Sequence, residues 1–159
     1  MLQFRRWAVV GDVLNATKPA SRVVARLRAN GKSVQLVNPK TAGCYSSLKV
    51  TRPAHRCAQN AAAIELQDCT LPIEVVNIIV NPKQVLRRPF VGTWLLAIGR
   101  SGCAVQGLLT IEEIIQLGIQ NVWIQPGAES PAILDRCRSA GIHVHEGCVL
   151  MELSQPSSL

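Results

Sequence analysis

The chain has 159 residues, 48% of them apolar, a mean hydropathy of +0.19 and a formal charge of +7. That is one domain's length with enough apolar surface for a core, which excludes a wholly disordered protein. No apolar run reaches membrane-spanning length, the start lacks the apolar segment of a secretory signal, and one Tyr and two Phe are too few for a platform that stacks nucleic-acid bases.

Trp7-Ala8-Val9-Val10-Gly11 is a short apolar run ending in glycine and is read as a buried strand. The polar stretch Asn15–Lys18 precedes Pro19, a favoured first residue of a helix, and Ala20, Val23, Val24 and Leu27 then recur at helical spacing up to the stop at Asn30-Gly31. Ser33–Val37 is the next strand, ended by Asn38-Pro39, and the whole unit has the length of a βαβ crossover, so its strands are expected to be parallel. Residues 41–45 read as a loop, Ala58–Leu66 as a helix, Glu74–Val80 as a β-branched strand ended by Asn81-Pro82, and Lys83–Arg88 as one or two helical turns. Phe90–Gly107, with four glycines among apolar residues, reads as an excursion or a hairpin. Thr110 is expected to cap a helix with Glu112 and Glu113 in its first turn and Gly118 at its stop. Asn121–Gln125 is a strand, Ser130 caps a helix over Pro131–Ala140, and Ile142–His145 is a last strand.

Strands and helices that alternate in this way predict an α/β, Rossmann-like, doubly wound domain. Its mostly parallel sheet of five or six strands would carry helices on both faces. Aromatics are only 4%, and a Val, Ile, Leu and Ala core suits parallel strands buried on both faces. Residues 1–153 are read as the single domain and 154–159 as a frayed tail.

In such sheets ligands lie beyond the carboxyl ends of the strands. Four strand ends are visible: Gly11-Asp12, Asn38-Pro39-Lys40, Asn81-Pro82-Lys83 and Gln125-Pro126-Gly127. With Lys18 and Arg22 at the start of the first helix, and Lys40 and Lys83 after two strands, these ends favour a phosphate or pyrophosphate. Neither G-x-G-x-x-G nor G-x-x-x-x-G-K-[ST] occurs, so residue types alone leave the nucleotide open.

The order Trp7–Gly11, Lys18-Pro19-Ala20, Val34–Lys40, Val75–Lys83, Asn121–Ser130, Ala140-Gly141-Ile142 and Gly147-Cys148-Val149 resembles the CoA-binding domain family. These are small Rossmann-like proteins similar to the CoA-binding portion of the succinyl-CoA synthetase α subunit. The resemblance runs from about Trp7 to Met151 and implies coenzyme A, or an acyl-CoA, as the ligand. It implies that Gly11, Asp12, Val13, Lys18, Pro19 and Arg22 cradle the pyrophosphate. Asn38, Pro39 and Lys40 would line the adenosine side. Val80, Asn81 and Pro82 would cover the adenine or pantetheine, with Gln125, Pro126 and Gly127 nearby. Asp12 departs from the small residue or serine that many members carry there, and segments 49–70 and 89–109 are longer than a minimal member needs.

Two other readings stand beside this one. The first is an NADP-binding oxidoreductase or redox sensor on the same fold, with Lys40 reading a 2′-phosphate. The second is an interaction protein with a degenerate nucleotide site, for which Asp12 speaks. No catalytic residue is assigned. His143 and His145 share a strand face near Cys148, but no further metal ligand is evident, and Asp12 and Glu129 read as structural groups before acid–base ones. The six cysteines form no C-x-x-C pair, which argues against a zinc site or a disulfide scaffold and for an intracellular, cytoplasmic protein. Arg5 and Arg6 leave a mitochondrial address open, and no nucleic-acid or membrane partner is expected. A homodimer or a protein partner is compatible with the sequence.

Overall fold

The computed structural model describes residues 1–38, 66, 69, 72–80 and 106–153. They form β1 (Arg6–Gly11), α1 (Pro19–Ala29), β2 (Ser33–Val37), β3 (Val75–Ile79), α2 (Gln106–Gln116), β4 (Asn121–Ile124), α3 (Pro131–Ser139), β5 (His143–Glu146) and the single turn α4 (Val149–Glu152). The five strands make one sheet in the order β2-β1-β3-β4-β5, and every pairing is parallel. The Rossmann-like α/β fold is therefore as expected, with five strands and no antiparallel member among the described residues.

The chain winds outward from β1 in both directions, so right-handed crossovers place the helices on opposite faces. Alternate residues of each strand then feed two cores. Trp7, Val9, Val75 and Trp123 face α1 and α4, where they meet Ala20, Val23, Leu27 and Val149. Ala8, Val10, Val76, Ile78, Val122 and Ile124 face the other way, against Ile111 and Ile114 of α2 and Ile133 and Cys137 of α3. Both faces being covered explains why Trp7 to Val10 is apolar without alternation, each residue at most 1% exposed.

Local signals set most of the boundaries. Pro19 stands in the first turn of α1, and its end is a Schellman turn: Gly31 has φ +72°, and the Lys32 N–H donates to the Leu27 carbonyl at 3.1 Å. Ser130 Oγ caps α3 by accepting from the Ile133 N–H at 3.3 Å. Glu112 of α2 and Arg136 of α3 join those helices through a two-pronged ion pair of 2.6 and 2.9 Å.

Two expectations need correction. The helix expected to begin at Thr110 begins at Gln106, so Thr110 is a buried interior residue and Glu112 and Glu113 lie mid-helix. The reason is packing. Gly107 is buried, and a Cβ there would stand 2.5 Å from Ile133 Cδ1, so this glycine lets α2 approach α3 closely and does not break the chain. The turn α4 was not foreseen, because four residues carry no period to read. The expected loop at 41–45, most of the helix at 58–66, the turns at 83–88, most of the excursion at 90–107 and the tail at 154–159 lie outside the described residues. Leu66, from that helix, is fully buried in the α2–α3 core.

Candidate nucleotide site

The strand order reverses between β1 and β3, and the crevice beyond their carboxyl ends is the switch point of the fold. Gly11 ends β1 there, paired with Ile79 of β3. A Cβ on Gly11 would lie 3.1 Å from the Ile79 carbonyl oxygen and 3.4 Å from Ala20 Cβ, so any larger residue crowds the backbone of β3 where α1 begins.

The loop from β1 to α1 is folded by its own polar groups. The Val13 N–H donates to the Gly11 carbonyl at 2.9 Å and the Val13 side chain is buried, while Asp12 is half-buried. Asn15 Oδ1 accepts from the Thr17 N–H at 3.1 Å and from Thr17 Oγ1 at 2.8 Å, an Asx turn that aims the chain into the helix. Lys18 is the N-cap and its side chain caps nothing; Pro19 follows, and Ser21 Oγ donates back to the Ala16 and Lys18 carbonyls. The first turn of α1 thus carries no acidic residue and no side-chain cap, with Lys18 and Arg22 exposed beside it. The positive end of the helix dipole and two cations face the same solvent, an arrangement suited to an anion.

The parallel sheet brings Asn38, Val80 and Gln125–Gly127 to this same edge. Asn38 is buried after β2 and Val80 is buried after β3. Pro39, Lys40, Asn81 and Pro82 lie outside the described residues. Gln125, Pro126 and Gly127 follow β4 in a type II turn, in which the Ala128 N–H donates to the Gln125 carbonyl at 3.0 Å and Gly127 has φ +86°. The Gly127 N–H donates to the Glu129 carboxylate at 2.6 Å.

Gln125 itself turns inward and is 5% exposed. In the amide orientation that suits its neighbours, its oxygen accepts from Asn77 Nδ2 at 3.0 Å, Trp123 Nε1 at 3.3 Å and the Val149 N–H at 3.3 Å. It therefore ties β3, β4 and the start of α4 together below the edge. Asn77, fully buried in mid-strand with its Oδ1 unpartnered, has no counterpart among the expected site residues. A lone Asn inside Val75–Ile79 was the sequence signal for it.

At the end of β5, His143 and His145 share a face, as their spacing implied, since His145 pairs with Trp123 and His143 with Asn121. His145 Nε2 meets Glu152, and no group of three or more His, Cys, Asp or Glu side chains that could hold a metal occurs among the described residues. A depression at the opposite, amino edge is bounded by Phe4, Arg5, Arg6, Ser33 and Glu74, and its one carboxylate is already engaged. Glu74 accepts there from the Arg5 and Arg6 N–H groups and pairs with the Arg6 guanidinium at 2.9 Å. No helix among the described residues is long and apolar enough to cross a membrane.

A doubly wound parallel sheet with an uncapped helix start at its switch point defines the class, a Rossmann-like α/β domain. Within that class the chain belongs to the CoA-binding domain family, whose pattern, described as "CoA binding domain", matches residues 5–88 and 104–154. Solved structures share the fold. A conserved hypothetical protein from Pyrococcus furiosus is 22% identical, with a TM-score of 0.63 over 94% of this chain and 99% of that one. A hypothetical protein from Pyrococcus horikoshii is 22% identical, with a TM-score of 0.63 over 95% and 83%. A protein from Thermus thermophilus is 20% identical, with a TM-score of 0.63 over 95% and 89%. No curated protein sequence matches the chain.

Proposed function

We propose that the chain binds coenzyme A, free or acylated, at the carboxyl edge of the sheet. The observation that carries this reading is the switch point itself: Gly11 seats the bare first turn of α1 against β3, and Lys18 and Arg22 flank it inside the span that matches the CoA-binding family. The pyrophosphate rests on this turn, against Gly11, Asp12, Val13, Lys18, Pro19 and Arg22. Asn38, Pro39 and Lys40 take the adenosine side. Val80, Asn81 and Pro82 cover the adenine or pantetheine. Gln125 positions the Pro126-Gly127 turn from below. Binding is the whole of the assigned activity, and no residue is given a catalytic role.

Titration calorimetry with CoA and acetyl-CoA, set beside a thermal-shift panel of CoA, NAD, NADP and ATP, tests it. Binding of CoA with a Kd below about 1 mM, and stabilisation by CoA above the other nucleotides, is expected. Silence toward CoA in both measurements, or stabilisation by NADP alone, overturns it.

A further inference from the structure

The C-terminal turn α4 is held to the body of the protein by contacts that differ in kind. Arg26 of α1 donates to the Leu150 carbonyl at 2.9 Å and to the Leu153 carbonyl. Gln125 accepts from the Val149 N–H at 3.3 Å. Both are indifferent to pH near neutrality. The third joins two ionisable side chains: His145 Nε2 lies 2.9 and 3.1 Å from the two carboxylate oxygens of Glu152, seven residues on. The imidazole also packs against Trp123 in a tilted arrangement, 4.0 Å between ring centroids and 50° between planes. A Cβ on Gly147 would lie 2.0 Å from Glu152 Oε1 and 2.8 Å from His145 Nε2, so the chain between the partners is bare where they meet.

We propose that His145, Glu152 and Trp123 form a proton-operated clasp that fastens α4 to β4 and β5, closed by the imidazolium and loosened by the neutral ring. As imidazolium, His145 donates from Nε2 to a carboxylate of opposite charge and holds a cation 4.0 Å from the indole, centroid to centroid, in a tilted arrangement. The neutral ring loses both charge terms, and in the tautomer protonated at Nδ1 it turns a lone pair toward Glu152. Among the described residues, the titratable groups near it include the Cys148 thiol at the start of α4. Glu152 comes from α4. Its own strand contributes His143 on the same face and Glu146 at the neighbouring position. Arg26 comes from α1, occupied with the α4 carbonyls, and β4 contributes the uncharged Trp123. The clasp stands independently of the CoA reading, since it needs no ligand.

Amide hydrogen exchange on the ligand-free protein, read between pH 5 and 8 and divided by the intrinsic rate at each pH, tests it. The protection of Glu152 and Leu153, whose N–H groups donate to Cys148 and Val149, is expected to fall about three- to fivefold as pH rises, the scale of a half-exposed ion pair. Trp emission is expected to rise over the same range as the tilted ring beside Trp123 loses its charge. Both changes vanish in His145→Gln and persist in His143→Gln. Constant protection of α4 in the wild-type protein overturns the clasp whether or not any variant folds, and so does an unchanged pH response in folded His145→Gln.

Discussion

Gly11 and Ile79 approach so closely that a methyl group on Gly11 would stand 3.1 Å from the Ile79 carbonyl oxygen, with Ala20 Cβ at 3.4 Å on its other side. The contact partner is backbone in a paired strand, which cannot move without disturbing β3. Gly11→Ala is therefore expected to cost about 1–2 kcal/mol by overpacking. It should also lift the first turn of α1 and weaken CoA binding by at least about fivefold. Chemical denaturation and calorimetry on the same variant check the two effects, and an unchanged midpoint and Kd would contradict the role given to this contact.

The cations beside α1 are exposed, so their removal separates binding from folding. Lys18→Ala with Arg22→Ala is expected to leave the melting temperature within about 2 °C. It should also raise the Kd for CoA about tenfold, the scale of one or two partly screened charge-assisted contacts. The loss should shrink in 0.5 M salt, because screening removes the same term in the wild-type protein.

Gly107 poses a contest of two effects. Alanine gains up to about 1 kcal/mol in helix propensity, but its Cβ would sit 2.5 Å from Cδ1 of Ile133, a side chain that is fully buried and held by the α2–α3 core. The clash wins, and Gly107→Ala is expected to destabilise by about 1 kcal/mol. Ile133→Val deletes the offending methyl group, so the double variant should be more stable than the sum of the two singles. Additivity within error would show that the two helices do not meet at these atoms.

Cys137 lies fully buried between α3 and the sheet, and burial pushes its thiol up to about 11, with Arg136 acting weakly in the other direction. A thiol raised in the folded state stabilises the fold below the unfolded thiol's range and loses that contribution as pH rises from about 8.5 through 11. Native protein at pH 8 should leave Cys137 unalkylated by iodoacetamide while the half-buried Cys148 reacts, as peptide mass spectrometry would show. Rapid labelling of Cys137 under native conditions would refute its placement.

Glu74 holds the amino ends of β1 and β3 together, and its carboxyl is held below the ordinary carboxylate value. The side-chain hydrogen bond from Arg6 is the main cause, helped by the Arg6 and Arg5 backbone N–H groups and opposed by burial. A lowered carboxylate stabilises above the unfolded carboxylate range and is lost as pH falls through the folded value. Glu74→Gln should therefore lower the melting temperature at pH 7 and flatten its decline toward pH 3, measured by circular dichroism in constant ionic strength.

Much of the architecture was legible from local chemistry. The unbroken apolar run of β1, Pro19 before a 3–4 apolar period, Ser130 before Pro131, and glycines after α1, α2 and α3 each act within a turn or two of chain, so residue order alone reveals them. The carboxyl ends of β1 and β4, at Gly11 and before Pro126-Gly127, were legible for the same reason. What escaped has no local signature. Gly107 reads as a breaker until Ile133, brought from 26 positions away, shows why nothing larger fits, and α4 is a turn held by Arg26, Gln125 and His145 more than by its own propensity.

Residue order by itself determined that this protein alternates strands with helices and buries both faces of its sheet. Its ordered motifs also pointed to the CoA-binding family. Only the tertiary structure decided that Gly11 is a contact between β1, β3 and α1, that Gln125 looks inward to Asn77 and Val149, and that His145 meets Glu152 over Trp123. Each of those relationships joins residues that parallel crossovers bring together from separate stretches of chain, and such distances are set by packing, which no local pattern encodes.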